Sequence, residues 1–112
     1  DQDDIWMPNK LKTACRYLED FDKDTPLLFS SNSLFVDDNM NVLGSFHNET
    51  PHYTKQNVMI YPTEQGCSMV FNRSALVLYD QNPPKNAWHD RWMCLICNFL
   101  GQSVYCQSPL FY

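Results

Sequence analysis

Apolar residues recur at three- and four-residue spacing between Asn9 and Phe21. Leu11, Ala14, Cys15, Leu18 and Phe21 are interleaved with Lys10, Lys12, Arg16, Glu19 and Asp20. That period is helical. Pro8 stands where a helix start tolerates proline, and Asn9 is an N-cap residue type. The pattern predicts one amphipathic helix over 9–21, with Cys15 on the stripe that faces the core. Its charges run against the helix dipole, basic early and acidic late.

Beyond the break at Asp22 to Pro26 the signals turn to strands. Leu27 to Ser30 is short and apolar. Ser33 to Val36 and Asn41 to Phe46 flank Asp37-Asp38-Asn39-Met40, a cluster of turn formers, and read as a hairpin. His47 to Thr54 is polar, contains Pro51 and reads as an exposed loop. Asn57 to Tyr61 reads as a strand and Pro62 to Gly66 as a turn. Cys67 to Phe71 and Ala75 to Tyr79 are apolar runs around Asn72-Arg73, readable as a hairpin or as one long strand. Asp80 to Asn86 holds Pro83-Pro84 and must be a loop. Asp1 to Asp4 reads as an acidic, frayed start.

Arg91 to Cys106 is the most apolar run and holds three cysteines. Taken as a hairpin, Trp92 to Leu100 pairs with Ser103 to Cys106 across Gly101-Gln102, glycine supplying the positive φ of a type II′ turn. That register sets Cys97 opposite Cys106 at a non-hydrogen-bonded site, close enough for a disulfide. Cys94 then points to the other face, and a second bridge comes from Cys15, Cys67 and Cys94 with one thiol left over. The whole predicts a single domain over 1–112, mainly antiparallel β (α+β). Its N-terminal amphipathic helix (about 9–21) packs on a curved sheet or small β-barrel, with strands from about 27 to 106.

Composition narrows the function classes. The apolar fraction of 44% and aromatic fraction of 14% belong to a chain that folds. No apolar run is long enough to span a membrane. The net charge of −5 argues against nucleic acid and anionic lipid as partners. Five cysteines in 112 residues, with sequons at Asn48 and Asn72, point to a secreted or extracellular setting. The odd cysteine is available for an inter-chain disulfide.

No constellation carries chemistry on sequence grounds. His89, Cys94, Cys97 and Cys106 make a Cys₃His set on paper, but Leu95-Ile96 fill the CxxC where zinc ribbons place a turn, so no metal and no cofactor is expected. Asp37-x-Asn39-x-Asn41 starts like a calcium loop, yet Val42 and Asn48 stand where such a loop needs glycine and glutamate. His47 and His52 read as solvated, and no catalytic residue is assigned. The late aromatics Trp88, Trp92, Phe111 and Tyr112 are the candidate interface.

These features lead to the expectation of a secreted, disulfide-bonded glycoprotein domain that binds an extracellular protein partner and is not an enzyme. The alternative is an extracellular carrier of a small apolar or cationic ligand in a lipocalin-like curved sheet or barrel. No Gly-x-Trp follows the N-terminal segment, and 112 residues are too few for an eight-stranded barrel with its helix, so no family is assigned.

Overall fold

The computed structural model describes residues 4–52, 54–60, 64–81, 85–86 and 88–112. The acidic start at 1–3, the Pro62 turn and Pro83-Pro84 fall outside them. Among the described residues the fold is α+β, with helices α1 (Lys10–Leu18), α2 (Lys55–Ile60), α3 (Arg73–Gln81) and α4 (His89–Leu100). The strands are β1 (Leu27–Asn32), β2 (Leu34–Val36), β3 (Val42–Ser45), β4 (Val70–Phe71) and β5 (Gln102–Pro109).

The organising element is β1, buried along its whole length. It lies between β4, antiparallel, and β5, parallel. Side chains alternate across a strand, so Leu28 and Phe29 serve different faces. Leu28 joins Val58, Met69, Ala75, Met93, Cys94, Ile96 and Cys97 beneath the α2–α4 layer. Phe29 joins Ala14, Cys106 and Leu110 beneath α1. Helices therefore cover both faces, as a parallel pair requires. The N-terminal helix does pack on a sheet, but the described strands form no closed barrel, and the central pairing is parallel rather than antiparallel.

The hairpin around residues 37–40 is present as β2 and β3. Asp37 Oδ1 accepts from the backbone N–H of Asn39 (2.9 Å) and of Asn41 (2.8 Å), and Met40 adopts φ 63°. The aspartate and asparagines build an Asx-type turn. Asn32, 2% exposed, then fastens the following loop. Its Nδ2 donates to the His47 carbonyl at 2.8 Å and its Oδ1 accepts the His47 N–H at 3.0 Å.

Four assignments are corrected. First, α1 is rotated relative to the expected stripe. Lys10 and Ala14 are buried, Leu18 is half-buried, and Leu11 and Cys15 are exposed. The i, i+4, i+8 line that faces the core contains a lysine, so apolar counting missed it. Second, residues 55–60 are helical, capped by Thr54 Oγ1, which accepts the Asn57 N–H at 3.1 Å. Tyr61, the end of the expected strand, lies outside the described residues.

Third, the run 75–79 is helix α3. Asn72 is its cap, with Oδ1 accepting the Ala75 N–H at 3.1 Å. The same oxygen accepts the Leu27 N–H at 3.0 Å, and Nδ2 donates to the carbonyls of Lys23 (3.1 Å) and Thr25 (2.8 Å). The amide nitrogen that a glycan would take is thus engaged twice in the fold. Asn48, the other sequon, is exposed.

Fourth, 92–100 is not a strand. It belongs to α4, and β5 pairs with β1, so the Cys97–Cys106 register does not exist. All five cysteines are free thiols, which overturns the disulfide-bonded reading, including the second bridge among Cys15, Cys67 and Cys94. Cys94 and Cys97, three apart on a helix, share its buried side. Gly101 caps α4 through its N–H to the Cys97 carbonyl at 3.0 Å, with φ −153° rather than a positive value. Glycine is required there for closeness: a Cβ would lie 1.8 Å from the Pro26 carbonyl oxygen. That carbonyl accepts the Gln102 N–H at 2.9 Å, which starts β5.

Candidate functional site

Ligands of open α/β sheets bind outside the carboxyl ends of parallel strands. Here the carboxyl ends of β1 and β5 are crossed by the segment entering α1. Met7 N–H donates to the Leu110 carbonyl (2.9 Å), and Ile5 and Tyr112 exchange backbone bonds (3.2 and 2.9 Å). This sets Trp6 against Phe111. Phe111, expected at an interface, is 1% exposed and part of the interior. Trp88 is 78% exposed, whereas Trp92 and Tyr112 are half-buried.

A 3-10 helical turn, Gly66–Ser68, closes over this end of the sheet. It is held from below by Lys10, the largest buried side chain, 1% exposed. Lys10 Nζ donates to the carbonyls of Cys67 and Ser68, each at 3.0 Å. The same nitrogen lies 4.7 Å from the Trp6 ring centroid and 4.5 Å from that of Phe111, a pair of cation–π contacts. Trp6 Nε1 donates to the Cys67 carbonyl at 3.1 Å, so that oxygen accepts twice. Burial lowers the Lys10 pKa from 10.5 to about 8, with Cys67 and Asp4 nearby pulling it back up. Burial also raises the Cys67 thiol, helped by the adjacent Asp4 carboxylate.

Behind the turn sits Glu64, 6% exposed. Burial raises its pKa to about 7, and Cys94 Sγ donates to its Oε2 at 3.2 Å, favouring the charged form. Cys97 is pushed up to about 12 by burial and then by Glu64, and Cys94 is raised by burial and by Glu64, with Asp90 and Cys97 adding to it. These thiols are held protonated, so neither is an activated nucleophile. Among the described residues no three metal-ligating side chains converge, and the Cys₃His grouping is not assembled.

The turn meets the first residues of α4. A Cβ on Gly66 would lie 2.9 Å from His89 Nε2 and 3.7 Å from Asp90 Oδ2. Glycine thus lets an exposed imidazole and a half-buried carboxylate sit directly against the turn. Asp90 belongs to the first turn of α4, where the helix dipole favours an anion, and its Oδ1 accepts the Arg91 N–H at 2.7 Å. Arg91 Nη2 donates to the Met59 carbonyl at 2.8 Å and ties α4 to α2. Beside this corner opens a pocket of about 230 Å³, lined by Gly66, Met69, Phe71, Leu76, Tyr79, His89 and Met93.

The arrangement sets the Asp90 carboxylate and the His89 imidazole against one backbone turn. From the sequence, His89 stood in a paper zinc set, and His89-Asp90 was set aside as a base because no nucleophile had a recognisable context. Asp4, Lys10, Glu64 and Gly66 had no role in that reading. The signal that was present is positional: an acidic residue opening an apolar helical run, and a glycine three residues after Thr63 in a turn-rich stretch.

Comparison with known proteins gives one similarity. The chain is 28% identical over 105 residues, 88% of its length, to an uncharacterized glycosyltransferase of Methanocaldococcus jannaschii. It spans about a third (34%) of the length of that relative. No family model and no solved structure matches the chain. The free thiols overturn the disulfide-bonded description, and the relative is named as a glycosyltransferase rather than as a secreted binding protein. No helix among the described residues is long and apolar enough to cross a membrane.

Proposed function

We propose that this chain forms part of a glycosyltransferase and carries the acceptor side of its site, with Asp90 as general base. The observation that carries the reading is the convergence of Asp90, His89 and Gly66 at the crowded corner beside the carboxyl ends of β1 and β5, in a chain similar to a protein named glycosyltransferase. In this reading an acceptor hydroxyl lies against Asp90. Its oxygen attacks the anomeric carbon of an activated sugar. The bond from that carbon to the leaving group breaks with its electron pair, and the hydroxyl proton passes to the Asp90 carboxylate. His89 orients the acceptor from the rim. Lys10 and Trp6 act one layer below, as positioning residues that hold the carbonyls of the turn.

The test is sugar transfer by the full-length gene product, assayed by mass spectrometry over a panel of activated sugars and glycoside acceptors. Asp90→Asn is expected to lower turnover by about a hundredfold or more with the circular dichroism spectrum unchanged. Undiminished transfer by that variant, or no consumption of any activated sugar by the natural protein, refutes the reading.

A further inference from the structure

The pocket beside Asp90 has a chemistry of its own. Met69 and Met93, 8% and 4% exposed, form its floor. Phe71, Leu76 and Tyr79 form the walls, and His89 with the Gly66 backbone forms the rim. Among the described lining residues the only ionisable nitrogens are those of exposed His89. Hydroxyl groups of a bare sugar would find few partners inside, and burying them unpaired is costly.

The volume, about 230 Å³, lies below the roughly 300 Å³ at which pockets for drug-sized ligands begin. It corresponds to about eight water volumes, enough for one ring. The methionine side chains of the floor adapt to irregular apolar shapes, and the aromatic residues offer ring faces. The rim residue Gly66 is the one that a Cβ cannot join without displacing His89. Pocket and carboxylate therefore flank one point.

We infer that the acceptor presents an apolar ring, such as an aryl aglycone, to the pocket lined by Met69, Phe71, Leu76, Tyr79 and Met93, next to the hydroxyl that reaches Asp90. This rests on the acceptor-side reading above and adds a substrate class to it. The pocket then acts as the specificity element, since it rewards one ring and leaves fully hydroxylated groups in solvent.

The experiment compares phenyl and methyl glycosides of the same sugar, over a panel of common hexoses, by ligand-observed NMR and by transfer with the full-length gene product. Phenyl glycosides are expected to bind about tenfold tighter than their methyl counterparts. Leu76→Trp, which fills the pocket, should bring the ratio of phenyl to methyl affinity close to one. Phe71→Ala, at a position already 40% exposed, should reduce that ratio without threatening the fold. Equal affinity for both glycosides in the natural protein, or an unchanged ratio in both variants, overturns the inference. If methyl glycosides are glycosylated in an Asp90-dependent way with no phenyl preference, the pocket assignment fails and the acceptor-side reading survives. If neither glycoside binds nor is glycosylated, both fail.

Discussion

Lys10→Met replaces a buried ammonium by an apolar side chain of similar length and isolates what the charge does. In the natural protein Nζ serves the Cys67 and Ser68 carbonyls at 3.0 Å each and rests between two aromatic rings. After the substitution the Cys67 carbonyl keeps its bond from Trp6 Nε1, whereas the described residues supply no other donor to the Ser68 carbonyl. Charge-assisted bonds contribute roughly 1.5 to 3 kcal/mol each, and burying the ammonium offsets part of that. The expected net loss is about 2 kcal/mol at pH 7, or a melting temperature lower by roughly 8 °C.

The pH dependence is the sharper test. The folded-state pKa of Lys10 is about 8, below the ordinary 10.5. Between those values the unfolded chain binds more protons than the folded one, so stability from this group rises with pH. This pH-linked part, added to what the bonds contribute at pH 7, is fully present above 10.5 and is lost as pH falls through about 8. At 1.36 kcal/mol per pKa unit the swing is about 3 kcal/mol. Urea unfolding followed by circular dichroism, with natural protein and Lys10→Met compared at each pH, cancels the other titrating groups. The stability gap should widen by roughly that amount between pH 8 and 10.5. A gap that stays flat, or a variant within about 0.5 kcal/mol of the natural protein at pH 7, refutes the clamp.

Three further outcomes follow from the same geometry. Glu64→Gln keeps a carbonyl oxygen for Cys94 but removes the ionisation. Because the Glu64 pKa is raised from 4.5 to about 7, its contribution is complete below 4.5 and is lost as pH rises through 7. The natural protein should therefore lose about 3 kcal/mol relative to the variant over that span in chemical denaturation. Gly101→Ala places a Cβ 1.8 Å from a backbone oxygen. It should cost more than about 4 kcal/mol or prevent folding, which thermal melts would report. Asn72→Ala removes the α3 cap and three further bonds and should cost about 2 to 3 kcal/mol, whereas Asn48→Ala should be neutral within about 0.5 kcal/mol.

Elements marked by local chemistry were legible in the sequence. Pro8 and the helical spacing announced α1, although Asn9 makes no side-chain capping bond; Asp37 to Met40 announced the β2–β3 hairpin, and Leu27 to Ser30 announced the start of β1. The failures came where periodicity is short or ambiguous. Trp92 to Leu100 is apolar on every side, so strand and helix patterns fit it equally. Gly101 was read for dihedral freedom, when its use is the approach of the Pro26 carbonyl, a contact between residues 75 positions apart. Asn72 was read as a sequon, and its capping bond to the Ala75 N–H was a further role that the reading did not see. The candidate site was least legible, because the turn at Gly66–Ser68 joins Lys10 on one side to Asp90 on the other across long stretches of sequence, and a buried lysine contradicts hydropathy counting.

The junction at Gly101 makes α4 a lever. Its fulcrum is the tight meeting of Gly101 with Pro26, and Asp90 rides near the far end. Twelve residues of helix span about 18 Å, so a tilt of about 5° at the fulcrum would swing the carboxylate by about 1.6 Å. Displacements of about that size can cost a hundredfold in a positioned reaction. On the proposed reading, the accuracy of proton transfer is therefore set at the opposite end of the helix, by a glycine and a carbonyl that never meet the substrate.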